Sequence, residues 1–113
     1  MGEILKSKEI VLLRFPFSDQ SGAKRRPALI ISNDKFNSNS QELVVCAITS
    51  NIDSSDPYSV LIRKEDWKSG MYSESCVKCS LILTIHKGLI LKKIGRLGTK
   101  RFNEVMEKVR GIL

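Results

Sequence analysis

The chain has 113 residues, 42% of them apolar and 27% charged, with a formal net charge of +7. That is enough chain for one domain, 1–113, with a single core that needs no staples, and the balance excludes a disordered polymer. The excess of cations favours a polyanion or an acidic protein as partner. No apolar run reaches membrane-spanning length, and Met1-Gly-Glu-Ile-Leu-Lys6 lacks a signal-peptide core, so the expectation is a cytoplasmic protein with no membrane association.

Taken in order, the first element is a strand over Glu9 to Phe15, with Ile10 and Leu12 on one face and Val11 and Leu13 on the other. A polar stretch follows, Pro16-Phe-Ser-Asp-Gln-Ser-Gly-Ala23, whose proline and turn-forming residues lead the chain out into solvent. Lys24, Arg25 and Arg26 end it, at the foot of a second strand over Pro27 to Asn33. Because Arg26 precedes Pro27, the proline ring holds it in an extended conformation. A guanidinium on such a stem suits bidentate recognition of phosphate; the alternative is that the three cations form a solvated face.

Asp34 to Gln41 reads as a loop with room for one helical turn, and Glu42 to Ser50 as a third strand with Thr49 at its rim. Asn51 to Pro57 is a loop rich in Asp and Ser. Tyr58 to Lys64 alternates in the manner of a half-exposed strand. Glu65 to Gly70 reads as a short helical turn closed by Gly70, with Glu65 and Asp66 at the surface and Trp67 packed down. Strands over Cys76 to Ile85 and Ile90 to Leu97 follow, joined near His86-Lys-Gly88.

The end of the chain carries the only clear helical period: Phe102, Val105, Met106, Val109 and Leu113 recur at three- and four-residue steps, with Thr99 as the expected N-cap. Charge concentrates here, with eight Lys or Arg from Lys87 onward against Glu104 and Glu107 alone. Lys92, Lys93 and Arg96 read as a charged outer strand face that discourages edge pairing, or as a track for an RNA backbone. Short strands followed by one amphipathic helix predict a mainly β fold: a small, partly closed antiparallel barrel capped by that helix.

Cys76-Val-Lys-Cys79 has the C-x-x-C spacing of redox and zinc sites. On a strand, though, residues three apart point to opposite faces with Cα atoms roughly 10 Å apart, beyond disulfide reach. A second ligand pair would have to come from Cys46 and the lone His86. All three cysteines are therefore expected to be small core residues, His86 to be structural or solvent-exposed, and no metal or other cofactor is anticipated.

The segment Ile10-Val-Leu-Leu-Arg-Phe-Pro-Phe-Ser-Asp-Gln-Ser-Gly-Ala-Lys-Arg-Arg-Pro-Ala-Leu-Ile-Ile-Ser32, followed by Val45-Cys-Ala-Ile-Thr-Ser-Asn51, resembles the MazF/PemK family of toxin endoribonucleases from bacterial toxin–antitoxin pairs. The likeness continues through Val77 to Lys87 into the C-terminal segment. Its most specific points are the Arg-Pro after a Gly-containing loop and the Ala-Ile-Thr that ends a later strand. The resemblance implies an SH3-like barrel of the CcdB/Kid/MazF type with a C-terminal helix, assembled as a homodimer, acting on single-stranded RNA such as mRNA and held in check by a cognate acidic antitoxin.

By the same resemblance, Arg26 and Thr49 match the family's catalytic Arg and Thr. Lys24, Arg25, Ser21, Ser50 and Asn51 match neighbouring RNA-contacting surface. Some PemK-like members place an Arg and an acidic residue on the later strand; here those positions hold Lys78 and Ser80, expected as further RNA-binding residues, and the missing acid leaves the proton acceptor unassigned and favours an Arg–Thr arrangement. Two other functions share these features: a non-catalytic nucleic-acid-binding barrel, which binds RNA without cutting it, and a CcdB-like toxin that poisons gyrase without RNA turnover.

Overall fold

The structure is a computed structural model that describes residues 4–15, 24–70 and 72–113. Seven strands form one antiparallel sheet: β1 (Glu9–Phe15), β2 (Lys24–Ile30), β3 (Glu42–Thr49), β4 (Ser59–Ile62), β5 (Trp67–Gly70), β6 (Ser75–His86) and β7 (Ile90–Leu97). Their order, β4-β6-β3-β2-β1-β7-β5, places the two short strands at the edges. Helix α1 (Asp34–Asn39) links β2 to β3, and α2 (Thr99–Ile112) closes the chain. The sheet curls into a half-barrel, the expected mainly β architecture with a C-terminal helix.

The uninterrupted apolar runs of β1, β2 and β3 have a structural reason: these central strands are covered on both faces. Ile10, Leu29, Cys46 and Ile48 face one core with Val60, Ile62, Val77 and Cys79, and α2 lays Phe102, Val105 and Val109 on it. Val11, Leu13, Ala28, Ile30, Leu43 and Val45 turn to the other side, where Ile85 completes a second cluster against Leu5, Leu83, Leu89 and Ile90. The edge strand β4 alternates instead, with Val60 and Ile62 buried and Leu61 exposed.

All three cysteines are free and buried, in keeping with their reading as core residues. Burial pushes the Cys46 thiol up to about 12, with Cys79 adding to it, and burial pushes Cys79 up to about 11. Such thiols are poor nucleophiles near neutral pH. Strand β6 bulges opposite Cys46 and Ala47, whose partners are Ile82 and Lys78. The residues between them are extra to the ladder and bend the strand.

Three expectations need correction. Lys24, Arg25 and Arg26 belong to β2 itself, because β1 extends far enough to pair Leu13 with Arg26, Arg14 with Arg25 and Phe15 with Lys24. Strand β2 correspondingly ends at Ile30. The helical turn for which Asp34 to Gln41 had room is present, as a short helix over Asp34–Asn39 capped by Asn33, whose side chain accepts from the Phe36 N–H at 2.8 Å. The N-cap of α2 is Gly98, not Thr99; the Thr99 hydroxyl accepts from Lys8 Nζ at 3.0 Å instead.

The third correction is at Glu65 to Gly70. A 3₁₀ turn over Lys64–Asp66 leads into β5, an edge strand paired with β7. Asp66 is buried there, not on a surface turn. Its carboxylate accepts from the Arg63 N–H at 2.9 Å and from Arg101 Nε at 2.8 Å, while its carbonyl accepts from the Gly98 N–H at 2.7 Å, so one residue ties β5 to the start of α2. Burial alone would raise its pKa, but the bonds from Arg63 and Arg101 outweigh that and hold it below the ordinary carboxylate value.

A depressed folded-state pKa contributes stability that is present above the unfolded value, about 3.9, and lost as pH falls through the folded one. Asp66→Asn is expected to destabilise the fold by about 2 kcal/mol at pH 7 through the weakened Arg101 contact. In urea unfolding it should also flatten the acid limb of the stability profile. An equal loss at pH 7 and pH 3 would show that the charge is not what matters. Among the described residues, no helix is long and apolar enough to cross a membrane.

Candidate active site

Strands β2 and β3 pair Ala28 with Ala47, Leu29 with Cys46 and Ile30 with Val45. Continuing that antiparallel register two residues beyond Ala28 sets Arg26 across from Thr49. The two residues, 23 positions apart in sequence, are therefore neighbours for a simple reason: both stand at the same end of adjacent strands. Together with Arg25, Pro27 and Ser50 they line a pocket of about 500 Å³.

The hydroxyl of Thr49 is oriented. Its Oγ1 accepts from the Asn51 N–H at 3.0 Å, which engages the oxygen and leaves the O–H to donate outward. Asn51 thus acts on the site through its backbone. Arg25 and Arg26 are exposed, so their charges are available to a ligand at the pocket mouth.

The opposite wall comes from residues to which sequence reasoning gave no part in the site: Trp67, Ser73, Ser75 and Ile94. Trp67 meets Tyr72 edge-on, with centroids 5.9 Å apart and planes at 82°, and the Tyr72 hydroxyl donates to the Ile62 carbonyl at 3.0 Å. The indole lies so close over β7 that a Cβ on Gly95 would come within 2.6 Å of it. Ser75 is buried and donates to the Ser73 carbonyl at 3.0 Å. A tryptophan in a short polar segment was the one available signal for this wall, but its pairing with β7 is not local.

Other expected site residues lie elsewhere. Lys78 is committed to Asp56 at 2.9 Å; that hydrogen bond holds Asp56 below, and Lys78 above, their ordinary pKa values. Ser80 is exposed on the bulged part of β6, and neither Lys78 nor Ser80 lines the pocket. Ser21 and the Lys24 side chain lie outside the described residues. His86 is exposed at the far end of β6, where its Nδ1 accepts from the Gly88 N–H at 2.8 Å, a structural role as anticipated. Among the described residues no carboxylate or imidazole lines the pocket, and no group of three or more His, Cys, Asp or Glu comes together.

Chemically, two exposed guanidinium groups and a hydroxyl beside one cleft are able to donate hydrogen bonds to an anion's oxygens and to neutralise its charge.

Comparison with known proteins bears on the fold and the family. No curated protein matches the chain by sequence. Among solved structures, the MazE-MazF complex of Deinococcus radiodurans (Form-III) superposes with a TM-score of 0.81 at 19% identity, covering 97% of this chain and 96% of that one. An endoribonuclease in complex with its cognate antitoxin from a mycobacterial species gives 0.76 at 17% identity, with 97% and 93% covered. The Mycobacterium tuberculosis toxin MazF-mt6 gives 0.72 at 19% identity, with 91% and 93% covered. At these identities the likeness is one of fold. The sequence itself matches, over residues 6–113, the profile of the family described as PemK-like, MazF-like toxin of type II toxin-antitoxin system, and the chain belongs to that family.

Proposed function

We propose that this chain is the toxin of a type II toxin–antitoxin pair and that it cuts single-stranded RNA, with residues 1–113 acting as one toxin domain in a homodimer. Family membership makes endoribonuclease activity the expectation. The observation that carries the assignment to a site is the convergence of Arg26 and Thr49, from two strands, on one cationic pocket.

In this reading the ribose 2′-oxygen attacks the adjacent phosphorus. The 2′-hydroxyl gives up its proton to solvent as the O2′–P bond forms, the P–O5′ bond breaks with O5′ taking a proton from solvent, and the products are a 2′,3′-cyclic phosphate and a 5′-hydroxyl. Negative charge grows on the non-bridging oxygens as the phosphorus becomes five-coordinate. Arg26 neutralises it with paired N–H donors, and the Thr49 hydroxyl, held by Asn51, donates to the same oxygens. Arg25 contacts the neighbouring phosphate and Ser50 the ribose. The chain's cations supply the charge stabilisation, so the reaction proceeds without a metal ion or other cofactor.

An acidic antitoxin segment would compete for this surface by presenting carboxylates to Arg25 and Arg26. The solved relatives include complexes of MazF with MazE and of an endoribonuclease with its cognate antitoxin.

The test is incubation of the purified protein with a defined transcript in EDTA and mapping of fragment ends. Cuts at a recurrent short motif, leaving 2′,3′-cyclic phosphate and 5′-hydroxyl ends, are expected. Salt-sensitive RNA binding with no cleavage would reduce the protein to a binding module. Loss of RNA binding together with capture of gyrase would move it to another class.

A further inference from the structure

Arg25 lines the cleavage pocket, and the antiparallel register of β1 with β2 sets Arg14 directly across from it. Residues directly opposite in such a pair share a face of the sheet, with Cα atoms about 4.5–5.5 Å apart. Arg26 stands across from Leu13, one step along, so the alternation of the strands gives Arg14 to Arg25 and not to Arg26. Lys92 of β7 lies across from Leu12, on the face that Leu12 shares with Arg14. Three cations from three adjacent strands, Arg25, Arg14 and Lys92, thus step away from the pocket across one face of the sheet.

All three are exposed, and among the described residues none of them is in an ion pair. Glu9, the only acid in β1, is engaged by Lys93 at 3.3 Å and by the Lys6 N–H at 2.7 Å. Like charges directly opposite each other destabilise a sheet. A cation on a strand is explained at a sheet edge, where it discourages further pairing, but β1 and β2 lie in the interior of the strand order. Neither packing nor edge protection therefore accounts for Arg14 opposite Arg25. An anion seated between the two guanidinium groups would convert their repulsion into binding.

We propose that Arg14 and Arg25 together hold the RNA phosphate next to the one that is cut, with Lys92 continuing the track, and that this grip sets where the strand lies over Arg26. The inference deepens the ribonuclease reading and rests on it. Two forks of N–H donors closing on one group suit a phosphodiester, whose non-bridging oxygens accept from several directions. A row of cations across three strands suits an extended polyanion in place of a small ion. Because the row starts in the cleavage pocket at Arg25, the polymer it follows is the one being cut.

The test compares Arg14→Gln with the parent protein in two assays. Affinity is read by fluorescence anisotropy with a labelled RNA carrying 2′-fluoro sugars, which has no 2′-oxygen to attack the phosphorus, and turnover is read on an unmodified transcript. Arg14→Gln is expected to weaken binding about tenfold and to lower the slope of log affinity against log salt by about one, as for one lost phosphate contact. KM should rise by a similar factor with kcat changed less than about twofold, the pattern of lost ground-state binding. Arg14→Lys should keep the salt slope and recover part of the affinity. Relief of the like-charge contact should leave the melting temperature of Arg14→Gln at or above the parent's, which a structural role for Arg14 would not.

Unchanged affinity and KM, or a loss accompanied by a lowered melting temperature and restored at low temperature, would overturn the proposal. Weaker binding of a labelled poly-glutamate peptide with RNA affinity intact would assign the pair to an acidic protein and overturn it too. So would altered self-association on sedimentation with RNA affinity unaltered. If the parent binds the 2′-fluoro RNA through Arg14 yet cuts no transcript, the phosphate site stands and the ribonuclease assignment falls. Cutting by the parent that Arg14→Gln leaves unaltered does the reverse.

Discussion

Arg26→Ala is expected to lower the rate of RNA cleavage about a thousandfold while leaving the protein folded. Removing one preorganised donor to a developing oxyanion costs on the order of 10²–10³ in rate, and Arg26 brings a full charge and two parallel donors in place of one. Its side chain is exposed, so truncation opens no cavity and the melting temperature should stay within a degree or two. Arg26→Lys should recover little, because an ammonium keeps the charge but not the planar fork.

Thr49→Ala is expected to cost about tenfold to a hundredfold, and Thr49→Ser to restore most of that by returning the hydroxyl. If the two residues act on the same oxygens, the double variant will lose less than the product of the single losses. Single-turnover rates with saturating transcript measure these effects directly. Arg26→Ala cleaving at the parental rate would remove the pocket from the mechanism.

Gly70→Ala is expected to be the most damaging small substitution in the sheet, costing about 3 kcal/mol. Gly70 has φ of +82°, and a Cβ there would lie 2.1 Å from the Ile94 carbonyl oxygen. The left-handed backbone alone costs about 1–2 kcal/mol for a residue with a Cβ, and the clash falls on backbone that has no rotamer through which to yield. The β5–β7 pairing would have to open. Because β5 carries Trp67, the variant should also lose the indole wall of the cleavage pocket, so a lower urea midpoint is expected together with a raised KM for RNA. A destabilised variant with unchanged KM would place Trp67 outside the substrate's reach.

The central strands were legible because their apolar runs are long and β-branched, bounded by turn formers, and demanded by burial on two faces. Strand β7 was assigned to its observed ends, Ile90 and Leu97, and β1 to Glu9 and Phe15. Strand β5 was not legible. Trp-Lys-Ser-Gly has neither length nor alternation, and it is extended because β7, more than twenty residues later, supplies its hydrogen bonds. The same physics moved Lys24 to Arg26 from loop to strand: their polar side chains argue for solvent, while the backbone partners come from β1.

What the sequence determined by itself was local or periodic: the strand-rich pattern, the terminal amphipathic helix, an Arg held extended by the following proline, a Thr at a strand end, and a basic C-terminal quarter. The tertiary structure alone decided what depends on register between distant segments. Pairing Ala28 with Ala47 turns Arg26 and Thr49 into neighbours, while the β5–β7 and β4–β6 pairings bring in Trp67 and Ser75 as the facing wall and Lys78 meets Asp56. Register is set by summing many weak contacts over a whole sheet, and a one-residue slip reverses every side chain; no short stretch of sequence contains that sum.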